Sequence, residues 1–236
     1  MNQKKFAAVI AVCSVVLGLT ACGIHNTNAD AVSNASEKKQ TATARVDANA
    51  SASIKGPANA ALVNTSTGSR IAVVYFSEPE TSQKDSVQGS TEYIGQLIQK
   101  QTGADCFRIE RSEAYPTAHA TLVAAAKVEK TSNARPAIKD TIPDLSQYDV
   151  IFLGYPIWWG DMPMPVYTFL DSHDLSGKQV ILFSTHGGSG LAGTVENVQR
   201  VESGASVQQN AFTVDRDDVV QAESSVLQWL KQLGYK

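Results

Sequence analysis

The stretch Val150-Ile151-Phe152-Leu153-Gly154-Tyr155-Pro156-Ile157-Trp158-Trp159-Gly160 decides the fold. Its first half is a short, unbroken apolar run, the pattern of a strand covered on both faces of a parallel sheet. Its second half is a turn loaded with aromatic rings. Working outward, similar buried runs occur at Ile71–Phe76 and Val180–Thr185, with further strands predicted at Ala104–Ile109 and Val207–Val214. Helical spacing separates them. Thr91–Gln101 carries Ile94, Leu97 and Ile98; Leu122–Lys130, Val166–Leu170 and Leu191–Val201 also read as helices. Val219–Leu233 closes the chain as a helix with Val220, Val226, Leu227 and Leu230 along one side. Strands alternating with helices imply an α/β fold: a parallel sheet with helices on both faces. Five strands suit either common doubly wound order. In both, ligands bind beyond the carboxyl ends of the strands.

The N-terminal third is different material. Lys4 and Lys5 precede an apolar run from Phe6 to Leu19, and small residues follow, as in a secretory signal peptide. The run is short for a bilayer span, which needs roughly 20 residues. Leu19-Thr20-Ala21-Cys22 resembles the lipobox of bacterial lipoproteins. That resemblance implies cleavage after residue 21, a lipid on Cys22, and an extracytoplasmic, membrane-anchored protein. Residues 22–69 then serve as a linker, being rich in Ala, Ser, Asn and Thr and poor in large apolar residues. Residues 70–236 form the folded domain. The chain carries 20 Lys and Arg against 23 Asp and Glu, a net charge of -3; without residues 1–21, which hold two lysines and no acid, it stands at -5. This mild acidity argues against a nucleic-acid partner. With Cys13 removed and Cys22 lipidated, Cys106 is the one cysteine left, and it reads as a buried structural thiol. The histidine spacing suggests no metal site, and no Gly-x-Ser-x-Gly elbow points to a hydrolase.

Three loops at strand ends carry the chemistry. The first, Ser77 to Thr91, holds small hydroxyl residues and leads into a helix, whose unpaired N–H groups favour phosphate. It lacks the glycine spacing of a nucleotide-triphosphate or dinucleotide loop. The second offers Tyr155, Pro156, Ile157, Trp158, Trp159 and Gly160: indole faces for a planar ring, and a glycine allowing close backbone approach. One of the two tryptophans is expected to be structural. The third, Thr185-His186-Gly187-Gly188-Ser189-Gly190, can curl around a ligand. A flat ring bearing a phosphate fits all three, and FMN is such a molecule.

Together with Val73-Val74-Tyr75-Phe76-Ser77 and Gly89-Ser90-Thr91-Glu92-Tyr93-Ile94, these stretches resemble the bacterial flavodoxin-like proteins, including the FMN-dependent quinone reductase-like group. The likeness runs from about Arg70 to Lys236. It implies a flavodoxin-like three-layer sandwich whose five strands lie in the order 2-1-3-4-5. It implies FMN phosphate at Ser77, Ser90 and Thr91, and the ring between the 155–160 and 185–190 loops. Two departures stand out. Residues Glu78–Gln88 look inserted, and Ser90 stands where the family usually has Asn. Glu78, Glu80 and Asp85 bring negative charge near the phosphate, and they are expected to face solvent.

The leading expectation is therefore a redox protein at the membrane surface, with FMN as cofactor and no catalytic side chain assigned. Its electron donor and acceptor are either proteins or a nicotinamide and a quinone, the latter pair making it an NAD(P)H-dependent quinone reductase. The contrasting expectation is a flavodoxin fold without cofactor, acting as a binding module.

Overall fold

The computed structural model describes residues 68–79 and 88–235. The signal peptide, Cys22, nearly all of the linker, and Glu80, Lys84 and Asp85 lie outside the described residues. Strands β1 (Ile71–Tyr75), β2 (Asp105–Arg108), β3 (Val150–Pro156), β4 (Gln179–His186), β5 (Ser206–Val207) and β6 (Phe212–Asp215) alternate with helices α1 (Ser90–Thr102), α2 (His119–Thr131), α3 (Met164–Ser172), α4 (Thr194–Val201) and α5 (Glu223–Gln232). All strand pairings are parallel, in the order β2-β1-β3-β4-β5, with β6 also on β4.

Residue parity explains the layers. Ala72, Val74, Ile151, Leu153, Tyr155, Val180 and Leu182 point to one face and pack with Val166, Phe169, Leu170, Val195 and Val198 of α3 and α4. Their sequence neighbours Val73, Tyr75, Phe152, Ile181 and Phe183 point to the other face, against Ile94 and Ile98 of α1 and Val226, Trp229 and Leu230 of α5. Strand residues covered on both faces are mostly apolar, which is why Val150–Tyr155 and Val180–Phe183 read as continuous runs.

Two expectations are corrected. The fifth strand is not continuous. Val207 pairs with Val180 and Phe212 with Phe183, so the edge spends five steps where β4 spends three. The polar residues Gln208, Gln209 and Asn210 loop out between β5 and β6, and the Asn210 carbonyl accepts a bond from Trp229 Nε1 at 2.9 Å. An edge strand tolerates such a bulge because only one side is paired. The closing helix is also broken. Arg216–Gln221 is a 3₁₀ turn capped by Asp215, and α5 starts after it. The tighter turn shifts the helical phase, so the buried stripe is Val219, Ala222, Val226, Trp229 and Leu230, while Val220 and Leu227 are exposed.

Candidate functional site

A cleft of about 320 Å³ opens beyond the carboxyl ends of β1, β3 and β4. One side is built by Ser77, Glu78, Pro79, Ser90 and Thr91. Gly89 leads into α1 because no side chain fits there: a Cβ would lie 2.2 Å from Ser77 Oγ and 2.9 Å from the Glu78 carbonyl oxygen. The Ser77 hydroxyl accepts the Glu92 N–H at 3.2 Å, occupying one unpaired amide of the helix. Its own hydrogen has no acceptor among the described residues. Thr91 Oγ1 and Thr185 Oγ1 meet at 2.8 Å, both buried. Of two bonded hydroxyls one donates, which leaves the other's hydrogen for a third group. Polar hydrogens buried at a cleft wall are what an anionic or carbonyl-bearing ligand accepts.

The aromatic side comes from the turn after β3. Trp158 and Asp161 exchange backbone bonds at 2.9 and 3.1 Å, which closes a two-residue turn through Trp159 and Gly160. Both middle residues take positive φ, +53° at Trp159 and +70° at Gly160. Tryptophan in that region is strained by about 1–2 kcal/mol. It is held by contacts to α2: its Nε1 donates to the Val123 carbonyl at 3.1 Å, Lys127 Nζ lies 4.9 Å from its ring, and Lys130 donates to its carbonyl. Trp158 packs inward, edge-on to Phe76 and Tyr115 with centroids 5.4 Å away in each case. Trp159 is 47% exposed at the rim.

The third side holds Thr185, His186, Gly187 and Arg216. His186 Nδ1 accepts the Gly188 N–H at 2.9 Å and lies 3.5 Å from Asp215 Oδ2. Asp215 arrives there because β6 pairs it directly opposite His186.

A fourth side completes the cleft. It consists of Tyr115, Pro116 and Thr117 with His119, Leu122, Val123 and Ala126 of α2. Tyr115 is fixed from behind: its hydroxyl donates to Glu129, which pairs with Arg111 at 2.9 Å, and the Arg111 guanidinium lies 4.1 Å from the Tyr115 ring centroid. Burial, then the bond to Glu129, pushes the phenol's pKa far up, so it stays protonated.

The electrostatics correct one expectation. Glu78 does not face solvent; it is half-buried in the cleft wall. Burial raises its pKa, while Arg108 and Arg111 pull it down. Cys106 is also only half-buried, with its thiol pushed up to about 11 by burial and by Glu92. Among the described residues no three His, Cys, Asp or Glu gather as a metal site.

A model of the family described as Flavodoxin matches residues 71–232. The chain belongs to the flavodoxin family. No curated protein matches it. Among solved structures, a Bacteroides eggerthii protein assigned as a flavoprotein is similar at 27% identity and a TM-score of 0.57, covering 72% of this chain and 100% of its own. A counterpart from Bacteroides uniformis shows 26% identity and a TM-score of 0.57, covering 70% and 99%. A flavoprotein from Lactobacillus acidophilus, solved in complex with FMN, shares the fold at 21% identity and a TM-score of 0.50, covering 66% and 99%.

Within this flavodoxin, the cleft gathers Ser77, Ser90, Thr91, Pro156, Ile157, Trp158, Trp159, Thr185, His186 and Gly187 from the residues singled out in the sequence. It does not gather Tyr155, Gly160, Gly188, Ser189 or Gly190 as lining residues. Tyr155 continues the inward parity of β3, is wholly buried, and donates to Thr194 Oγ1 at 2.9 Å. It is a core residue rather than a ring contact. The residues that sequence reasoning left out are Glu78, Pro79, Pro116, Thr117, Arg216 and the α2 face. The α2 signal was present: positions 119, 122, 123 and 126 fall on one side of a helix.

Proposed function

We propose that this flavodoxin-family chain binds FMN in the cleft and passes electrons through it at the extracytoplasmic membrane surface. The observation that carries the reading is the pairing of two kinds of wall. Buried hydroxyls with hydrogens to donate form part of the lining, one at Ser77 and one in the Thr91–Thr185 pair. Aromatic and apolar side chains, Trp158, Trp159, Ile157 and Leu122, form another part. A phosphate-bearing flavin needs that division. When bound, FMN supplies the redox chemistry, and the chain's residues orient it and limit water around it. Ser77, Ser90 and Thr91 hold the phosphate end, and the 156–159 and 185–187 segments hold the ring. The FMN complex of the Lactobacillus acidophilus flavoprotein, a protein of the same fold, supports the choice of cofactor.

The test is a visible absorption spectrum of the purified chain before and after adding FMN. Flavin bands with quenched fluorescence support the reading. A colourless protein that ignores FMN overturns it in favour of a binding module, a reading that the carboxylate of Glu78 inside the cleft favours. Oxidation of NAD(P)H in the presence of a quinone separates a reductase from a carrier between proteins.

The anchor is proposed from the sequence. Cys22 bears the lipid, and the 22–69 segment tethers the domain to the membrane. Metabolic labelling with a radioactive fatty acid tests it: label on the wild-type chain and none on Cys22→Ser supports the anchor, and an unlabelled wild-type chain overturns it.

A further inference from the structure

Arg108 is the last residue of β2, and its Cα stands opposite Tyr75 at the end of β1. That register gives it the same parity as Cys106 and Val73, which face the α1 side of the sheet. There the guanidinium holds two segments. One Nη donates to the Ser77 carbonyl, and the other lies 3.9 Å from a Glu92 carboxylate oxygen. Ser77 and Glu92 are themselves joined, because the Ser77 hydroxyl accepts the Glu92 N–H at 3.2 Å. The three residues thus close a ring that ties the end of β1 to the first turn of α1. Ser77 lines the cleft and Arg108 does not, so Arg108 acts on a ligand through the residues it holds and through its charge.

The charge balance on this side needs a cation. Glu78 is half-buried in the cleft wall, and the Glu92 side chain is only 19% exposed. Two carboxylates so placed oppose a phosphate. Arg108 acts on both: it pairs with Glu92, and it draws the Glu78 carboxyl toward its ionised form against the effect of burial. Arg111 also acts on Glu78, but it is bound to Glu129 at 2.9 Å. A separation of 3.9 Å is too long for a charge-assisted hydrogen bond, so Glu92 neutralises Arg108 only in part. We infer that Arg108 is a positioning residue that makes the cleft prefer a phosphate-bearing flavin over the same ring without phosphate: it fixes the Ser77 turn and offsets the Glu78 and Glu92 carboxylates. The inference rests on the FMN reading for its ligand.

Riboflavin has the ring of FMN and lacks the phosphate, so comparing the two isolates the effect. The full chain is titrated with each at neutral pH and followed by fluorescence quenching. Wild type should favour FMN. In Arg108→Gln the FMN affinity should fall about tenfold while the riboflavin affinity stays within about twofold. Arg108→Lys keeps the charge and loses the planar fork, and its FMN affinity should fall between the two. Adding Glu78→Gln to Arg108→Gln should recover part of the loss, because one of the two opposing carboxylates is then neutral. Parallel losses for both flavins would leave Arg108 a merely structural role and overturn the inference, as would an Arg108→Gln preference equal to that of wild type. A wild type that binds both flavins equally well also overturns it. A wild type that binds neither overturns the FMN reading, and the preference falls with it. The positioning is then decided on the chain without ligand: hydrogen exchange at the Glu92 amide should quicken about fivefold in Arg108→Gln, and unchanged exchange overturns it.

Discussion

The hydroxyls of Thr91 and Thr185 meet at 2.8 Å across 94 positions of sequence, tying the start of α1 to the end of β4. The pair gives the two ligand loops a common anchor and keeps one hydrogen for a ligand. Thr91→Val removes the bond, strands the Thr185 hydroxyl and deletes the spare donor. A stranded buried hydroxyl costs about 1–3 kcal/mol. The expected outcome is FMN affinity about tenfold lower by fluorescence quenching, with a urea midpoint only modestly reduced. Thr91→Ser should recover most of the affinity. Unchanged binding in Thr91→Val would remove this pair from the site.

The adjacent tryptophans separate under substitution. Trp158 is half-buried, edge-on to Phe76 and Tyr115 at the cleft wall. Trp158→Ala removes that packing and should cost about 1–3 kcal/mol in urea unfolding. Trp159 lies over α2 at 47% exposure and in a strained backbone conformation. Trp159→Gly relieves that strain and should leave stability within about 1 kcal/mol of wild type, while weakening flavin binding severalfold. Equal destabilisation by both changes would contradict this division.

Much of this was legible in the sequence, for reasons specific to particular residues. Val150–Tyr155 reads as a strand because both faces of β3 are covered. The loops at Ser77, Tyr155 and Thr185 could be located because parallel strands present their carboxyl ends to one edge. What escaped depends on distant partners. The α2 face is tied to the distant Trp159 turn, whose indole donates to the Val123 carbonyl. Glu78 looked like loop charge, yet the approach of Arg108 and Arg111 makes its burial tolerable. Tyr155 was legible too: Ile151, Leu153 and Tyr155 share one parity, which sends its ring to the core.

Gly154 stands at the centre of β3, where a Cβ would lie 2.1 Å from the Phe183 ring. Phe183 is wholly buried, so the ring cannot move aside without disturbing the α1 and α5 layer. Gly154→Ala should therefore destabilise by about 2–4 kcal/mol, in the range of an overpacked core. Pairing it with Phe183→Leu, which clears the space, should recover part of the loss. A double mutant no more stable than Gly154→Ala would show that the clash is not the cause.

Glu78 gives the site a pH dependence of its own. Burial raises its folded-state pKa above the unfolded value, despite Arg108 and Arg111. For a carboxyl shifted upward, the neutral form is favoured in the folded protein. Its contribution to stability is full below the unfolded pKa and is lost as pH rises through the folded one. Glu78→Gln should thus leave stability at acid pH near wild type and raise it at neutral pH. It should also strengthen FMN binding at neutral pH, because a negative charge leaves the cleft that takes the phosphate. Denaturant midpoints and FMN titrations at about pH 4 and about pH 7.5 check both effects. A variant that binds FMN more weakly at neutral pH would mean that Glu78 contributes a bond to the ligand, and that its carboxylate belongs to the site rather than opposing it.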